Sequence, residues 1–427
     1  MTASVLVGTF NEPGEHAPAL PSSGGIVRTA GWPEEPRTVA GSGPDAPSWL
    51  VPGRPGAPSG GRLYAAQHVS EGALAVLSAA GPEVGAGAGP GSAADDVGWV
   101  ITQQVPTGGE NTCHADLNPA GTWLAAASYD SGTLTIAKVL DDGRLGRPVA
   151  VQAPEGSGPV QSRQDAPHLH FVLFLDDDRL LVTDLGGDRI LEYSVAALEA
   201  SARATEGGPT GEAPGAADGQ ACREVGGEDL GDPAGGMPAD GAVAGIVRVS
   251  VEPVAAHHLP GGTGPRHLAV LPARPEAERP GPHLAVVGEL DSRLHVLGLD
   301  AGPEGFPEVG IVPTHAQDAD PEAARDNLPS HLVVSADGAL VYVANRGRDT
   351  IGVIRRGEPL ELIAEVPCGG NWPRHIALAG PAGGQGLLVA LERDDAVVYL
   401  PLDAAGIPQA PTGRAPVRRP GFLLPVD

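Results

Sequence analysis

Glu289 closes the apolar run HLAVVG in the segment GELDSRL, a place where a carboxylate without partners is costly to desolvate. Some cation must offset that cost. Arg266 in GPRHL, Arg346 in ANRGR and Arg374 in WPRHI stand, like Glu289, at the margins of apolar runs. Two arrangements satisfy them. One is a structural salt bridge. In the other, guanidiniums hold an anionic substrate bidentately while the carboxylate works as a base or an electrostatic partner.

Histidines recur in the same setting. PHLH places His168 and His170 two residues apart, so on a strand both project to one side. Such a pair can supply a general base or, with Glu289, a ligand set for a metal. His114, His267, His331 and His375 each open an apolar run. They either join the same site or hydrogen-bond the backbone of a neighbouring repeat.

The elements that must position these residues come from an internal repeat. Its clearest copy is APHLHFVLFLDDDRLLVTDLGGDRILEYSV from Ala166: three apolar strands separated by Asp- and Gly-rich turns. Further copies begin at Ser48, His114, Arg266, His331 and Arg374, and a seventh, SVLVGTF with SGGIVRTAG, lacks a first strand that the C-terminal RPGFLLPVD could supply. His331 to Arg374 is 43 residues and His114 to His168 is 54, close to the period of four-stranded propeller blades. The expected fold is all-β: a seven-bladed β-propeller with four-stranded antiparallel blades, its ring closed by pairing of the N- and C-terminal strands. In a propeller the first strand of each blade lines the channel and the second returns antiparallel to it. First-strand starts (Trp49, His114, His168, His170, Arg266, His267, His331, Arg374, His375) and second-strand ends (His68, Tyr129, Asp184, Glu289, Asn345, Arg346, Glu392, Arg393) therefore share one rim.

Radial repeats build one large body, so residues 1–427 read as a single domain. A segment at about 197–244 lacks apolar periodicity and reads as a mobile surface insertion. The net charge of −26 argues against nucleic acid and anionic membranes as partners, so an anionic ligand must be held by local arginines. Only Lys138 among 27 basic residues is lysine, which reads as codon bias. No signal segment or membrane-length apolar stretch is evident, which suggests a cytoplasmic protein, a monomer or weak homo-oligomer. Cys113, Cys222 and Cys368 fit neither a disulfide framework nor a zinc cluster.

Taken together, VGTF, HADLNPAGTWLAAASYDSGTLTI, GSGPVQSRQDAPHLHFVLFLDDDRLLVTDLGGDRI, GPRHLAVL, GELDSRL, VYVANRGRDTI and NWPRHIAL resemble the lactonase family of seven-bladed β-propellers. That family includes propeller-type 6-phosphogluconolactonases and fungal carboxymuconate lactonising enzymes. The resemblance spans nearly all of the chain except the insertion after Val195 and the proline-rich stretch from Pro33 to Gly60. It implies a site made of His168 or His170, Arg266, Glu289 and Arg346. Departures are Gly288 where the family usually has Asn, and Gln67-His68 where it usually has Asn-Glu. The implied function is hydrolysis of a sugar lactone, 6-phosphogluconolactone in the pentose phosphate route, with no metal or cofactor. In it Glu289 or a PHLH histidine activates water, Arg266 stabilises the oxyanion and Arg346 clamps phosphate. Arg374, His267, His375, His114 and His331 are the further substrate-binding candidates. A carboxymuconate-type cycloisomerase and a non-catalytic small-ligand or scaffold propeller are the alternatives.

Overall fold

The fold is described from a computed structural model, covering residues 3–10, 25–79, 99–206, 245–274, 281–300, 305–317, 326–380 and 386–426. Each copy of the repeat forms one antiparallel sheet, and seven sheets result. The inner strands are Pro47–Pro52, Thr112–Leu117, Leu169–Phe174, Pro265–Leu271, Leu328–Val334 and Pro373–Ala379 in the second to seventh blades. Their second strands are Arg62–Gln67, Trp123–Ser128, Arg179–Asp184, His283–Gly288, Leu340–Arg346 and Gly386–Leu391. In the first blade the C-terminal strand Pro420–Val426 is innermost and pairs antiparallel with Ala3–Thr9, which closes the ring as the sequence implies.

The second strands are apolar at nearly every position because both of their faces are buried. Leu63 and Ala65 pack toward the first blade while Tyr64 and Ala66 pack toward the third. The same alternation recurs around the molecule, and the described apolar residues fall into seven clusters, one between each pair of adjacent blades. The core is thus a ring of interfaces rather than one central mass, which lets a long chain stay in one body.

Two features depart from the sequence reading. The third blade has a fifth strand, Val247–Val249, added parallel to Val149–Gln152. The segment expected to be a mobile insertion begins as an α-helix, Val195–Glu206. Val195, Leu198 and Ala202 form a short apolar stripe that packs into the cluster between the third and fourth blades. Asp178 and Ser194 accept hydrogen bonds from the backbone N–H groups of Ala196 and Ala197 at its start. Residues 207–244 of that segment, with Cys222, lie outside the described residues. Cys113 and Cys368 are free and buried. No helix among the described residues is long and apolar enough to cross a membrane.

Candidate active site

One irregularity, repeated in every blade, builds the site. At the start of each inner strand the pairing with the second strand slips by one residue, so a single extra residue is accommodated. Read from the register, these residues are Gly421, Ser48, Cys113, His170, Arg266, Ser330 and Arg374. A bulge kinks the strand and re-aims the extra side chain. The small ones stitch blades together. Ser48 Oγ donates to the carbonyl oxygens of Ala66 and of Thr112 in the next blade, Ser330 Oγ to those of Ala344 and Pro373, and the Cys113 thiol to those of Leu169 and His170. The large polar ones, His170, Arg266 and Arg374, line a pocket together with Phe10, Ser48, Cys113 and Gly421. With the open solvent at its mouth counted in, the space these residues surround is about 280 Å³.

The residue after each bulge points down the channel, and all seven carry rings: Trp49, His114, Phe171, His267, His331, His375 and Phe422. The Trp49 ring lies within 5.8 Å of the other six, centroid to centroid, so its indole fills the axis. His331 stacks on His375 at 3.8 Å, and the His114 and Phe171 rings lie 3.7 Å apart, tilted by 30°. This layer floors the pocket, where Trp49, His267 and His375 reach its lining and His114 and His331 do not. Burial, and then neighbouring histidine and arginine charge, keeps His114, His267 and His375 well below the usual histidine range; burial and Arg266 take His331 down to about 3.

Glu289 is buried among three guanidiniums, of which Arg266 lines the pocket. Arg266 Nε lies 2.8 Å and Arg346 Nη2 2.7 Å from its Oε2, and Arg163 Nη2 donates to its Oε1 at 2.5 Å. Burial opposes ionisation of this carboxyl, yet Arg346, Arg266 and Arg163 outweigh it and hold it well below the ordinary carboxylate range. Arg266 also donates to the Ser330 carbonyl and to His267 Nε2. Arg346 donates through Nε to the Leu328 carbonyl, 2.9 Å away.

The two histidines of PHLH part company. His168 precedes its strand and sits at the rim, stacked on Tyr129 at 4.6 Å and bonded through Nε2 to Asp165 at 3.2 Å. His170 is the bulge residue and enters the pocket, its ring 5.1 Å from His267. Its Nδ1 is buried without a partner. Burial and Arg266 depress its pKa well below the usual value, and Glu289 only partly opposes them, so the imidazole is neutral at pH 7.

Arg374 belongs to a second cluster. Glu392 accepts from Arg374 Nη1 at 3.1 Å and from Arg419 Nη2 at 2.6 Å, and both guanidiniums lie over the Phe10 ring. Asp184 and Asn345, though at the same rim, bond within the protein to Arg189 and to the Thr314 carbonyl. Sequence reasoning missed Arg163 and Arg419 because both lie in connections between strands. Among the described residues no group of three or more His, Cys, Asp or Glu side chains is placed to hold a metal.

Comparisons with known proteins bear on this geometry. The sequence model of a family described as "Lactonase, 7-bladed beta-propeller" matches residues 34–214 and 247–422, and so includes much of the proline-rich stretch that the motif resemblance left out. A Bacillus subtilis protein named 6-phosphogluconolactonase is 27% identical over 298 residues, covering 67% of each chain. A solved periplasmic gluconolactonase of Pseudomonas aeruginosa superposes with a TM-score of 0.71 at 20% identity, covering 100% of this chain and 99% of its own. A putative 6-phosphogluconolactonase of Bacteroides fragilis superposes with a TM-score of 0.68 at 20% identity, covering 100% and 98%. At that identity the two structures speak for the fold alone.

Proposed function

The chain belongs to the lactonase family of seven-bladed β-propellers, and from that premise we propose that it is a sugar lactone hydrolase, with 6-phosphogluconolactone the substrate its pocket suits best. The observation that carries the reading is electrostatic. In a chain of net charge −26, Arg163, Arg266 and Arg346 surround Glu289, Arg374 and Arg419 bond Glu392, and one arginine of each group, Arg266 and Arg374, lines the same pocket. Guanidiniums in that lining suit an anionic ligand and a developing oxyanion. Relatives named 6-phosphogluconolactonase point to the same small, anionic lactone. Such a substrate would place the enzyme in the cytoplasm, in the pentose phosphate route.

His170 is the base. It takes a proton from water as the oxygen attacks the lactone carbonyl, and Arg266 stabilises the oxyanion of the tetrahedral intermediate. When the ring C–O bond breaks, the imidazolium returns its proton to the leaving alkoxide and an open-chain acid results. The charge of Glu289 steadies the imidazolium and holds Arg266 in place. Arg346, tied to Glu289 and Leu328, positions that carboxylate rather than clamping phosphate directly. His267 and His375 form the floor against which the substrate rests.

The test is hydrolysis of freshly made 6-phosphogluconolactone by the purified protein beside Arg266→Ala and Glu289→Gln. Loss of one oxyanion donor should cost about 3–4 kcal/mol of barrier, a fall of roughly 10²- to 10³-fold in kcat. If the parent protein does not exceed the spontaneous rate, the hydrolase reading is wrong.

A further inference from the structure

The turn that carries Glu289 is fastened to a histidine that the hydrolytic step does not use. His295 lies on the third strand of the fifth blade, Arg293–Gly298, with its side chain 0% exposed. Its Nε2 is 2.8 Å from Asp291 Oδ2 and its Nδ1 is 2.8 Å from Glu308 Oε2. A carboxylate only accepts, so both bonds stand only when both ring nitrogens carry hydrogen, and the ring is then an imidazolium. Its cross-strand neighbours are the apolar Val286 and Ile311, and Arg293, two residues back, is exposed. The fourth blade packs against this face with Ile190 and Leu259 and with one ionisable pair, Glu192 and His257, bonded to each other at 3.1 Å.

Asp291 stands two residues beyond Glu289, in the turn between the second strand, His283–Gly288, and the third. Glu289 and Leu290 donate backbone N–H bonds to the Gly264 and Thr263 carbonyls at 2.9 and 3.1 Å, just before the inner strand on which Arg266 stands. Space is exhausted there: a Cβ on Gly264 would run into the Leu290 side chain and one on Gly288 into the Asp291 carboxylate. The far side of the turn is fixed as well, since the Ser292 carbonyl accepts the Thr314 N–H at 3.0 Å. Movement of Asp291 is therefore passed to Glu289 and to the start of the Arg266 strand rather than absorbed locally.

We infer that His295, as an imidazolium, is a positioning residue for Glu289: it ties the Asp291 turn to the outer strand Glu308–Pro313 and so holds in place the carboxylate that steadies His170 and seats Arg266. The role rests on the lactone-hydrolase reading. A neutral imidazole has one N–H and must release one of the two carboxylates. Burial opposes the charge, yet the hydrogen bonds to Asp291 and Glu308 outweigh it and raise the pKa of His295 above its usual value. The clamp is thus complete below the ordinary histidine value of ~6.5 and is lost as pH rises through the higher native one.

The experiment is the pH profile of kcat/KM for 6-phosphogluconolactone on the whole protein from pH ~6 to ~8.5, each rate corrected for spontaneous hydrolysis. The parent should lose activity along an alkaline limb above pH ~6.5. Glu308→Gln alters the more exposed of the two carboxylates, 40% exposed against 21% for Asp291. It should move that limb down by about half a pH unit or more. His295→Gln, which can bond one carboxylate and carries no charge, should flatten the limb and lower kcat about tenfold or more. His295→Lys, which stays charged across this range, should flatten the limb while restoring part of kcat. A parent without an alkaline limb, a limb unmoved by Glu308→Gln, or an unaltered kcat in His295→Gln overturns the inference and leaves the hydrolase reading standing. A parent no faster than the spontaneous rate overturns that reading and this role with it.

Discussion

His170 and Glu289 are both credible bases on sequence grounds, and their surroundings separate them. A carboxylate pulled far down in proton affinity by three guanidiniums is a poor acceptor, whereas His170 is neutral and reaches the pocket. Replacing His170 with Asn should lower kcat by about 10²- to 10⁴-fold and change KM much less. Steady-state kinetics on the phosphorylated lactone decide it, and an unaltered kcat would move the base elsewhere. The same environment sets a pH signature. Burial and Arg266 hold the histidine below its usual value, so the acidic limb of kcat/KM should lie below pH ~6.5. A limb at or above that pH would report a different group.

At the scale of elements, what was legible in the sequence was the ring. Strand polarity alone brings Arg266, Glu289 and Arg346 to one mouth, because first-strand starts and second-strand ends share one rim. The single-residue slip at each inner strand was not legible, since the residues it accommodates, Gly421, Ser48, Cys113, His170, Arg266, Ser330 and Arg374, share no residue type that would mark it. It is the slip that sends His170 inward, and His168 stays outside because it precedes the strand, so the rule of alternating faces fails at PHLH. Arg163 and Arg419 were out of reach for another reason: they belong to connections, to which the repeat assigns no place. The turn after Glu289 carries a related lesson. His295 is bonded to Asp291 and Glu308, both at 2.8 Å, and a Cβ on Gly288 would collide with the Asp291 carboxylate and the Thr263 carbonyl. The glycine that replaces the expected Asn thus gives Asp291 room to turn back on His295. Gly288→Ala should destabilise the fold by about 1–3 kcal/mol, read as a lower urea midpoint, and a neutral effect would show that the turn can shift.

For the molecule as a whole, the buried histidines couple stability to acidity. His114, His170, His267, His331 and His375 all have native pKa values below the ordinary one near 6.5. Below that pH the unfolded chain binds protons that the folded ring refuses. Stability is therefore complete above pH ~6.5 and is lost as pH falls toward the depressed native values, by on the order of 1 kcal/mol per pH unit for each such histidine. Denaturant midpoints measured from about pH 7.5 down to about pH 5.5 should fall steeply. His114→Phe or His331→Phe should make that decline shallower, and a slope unchanged in both would contradict the neutral assignments.

The seven-ring floor also makes the channel a cul-de-sac. Whatever enters past the arginines must leave past them, and opening a lactone adds a carboxylate to a molecule that already carried negative charge. The product is therefore gripped more firmly than the reactant that came in by the same doorway. Escape, more than entry, is the passage this architecture obstructs.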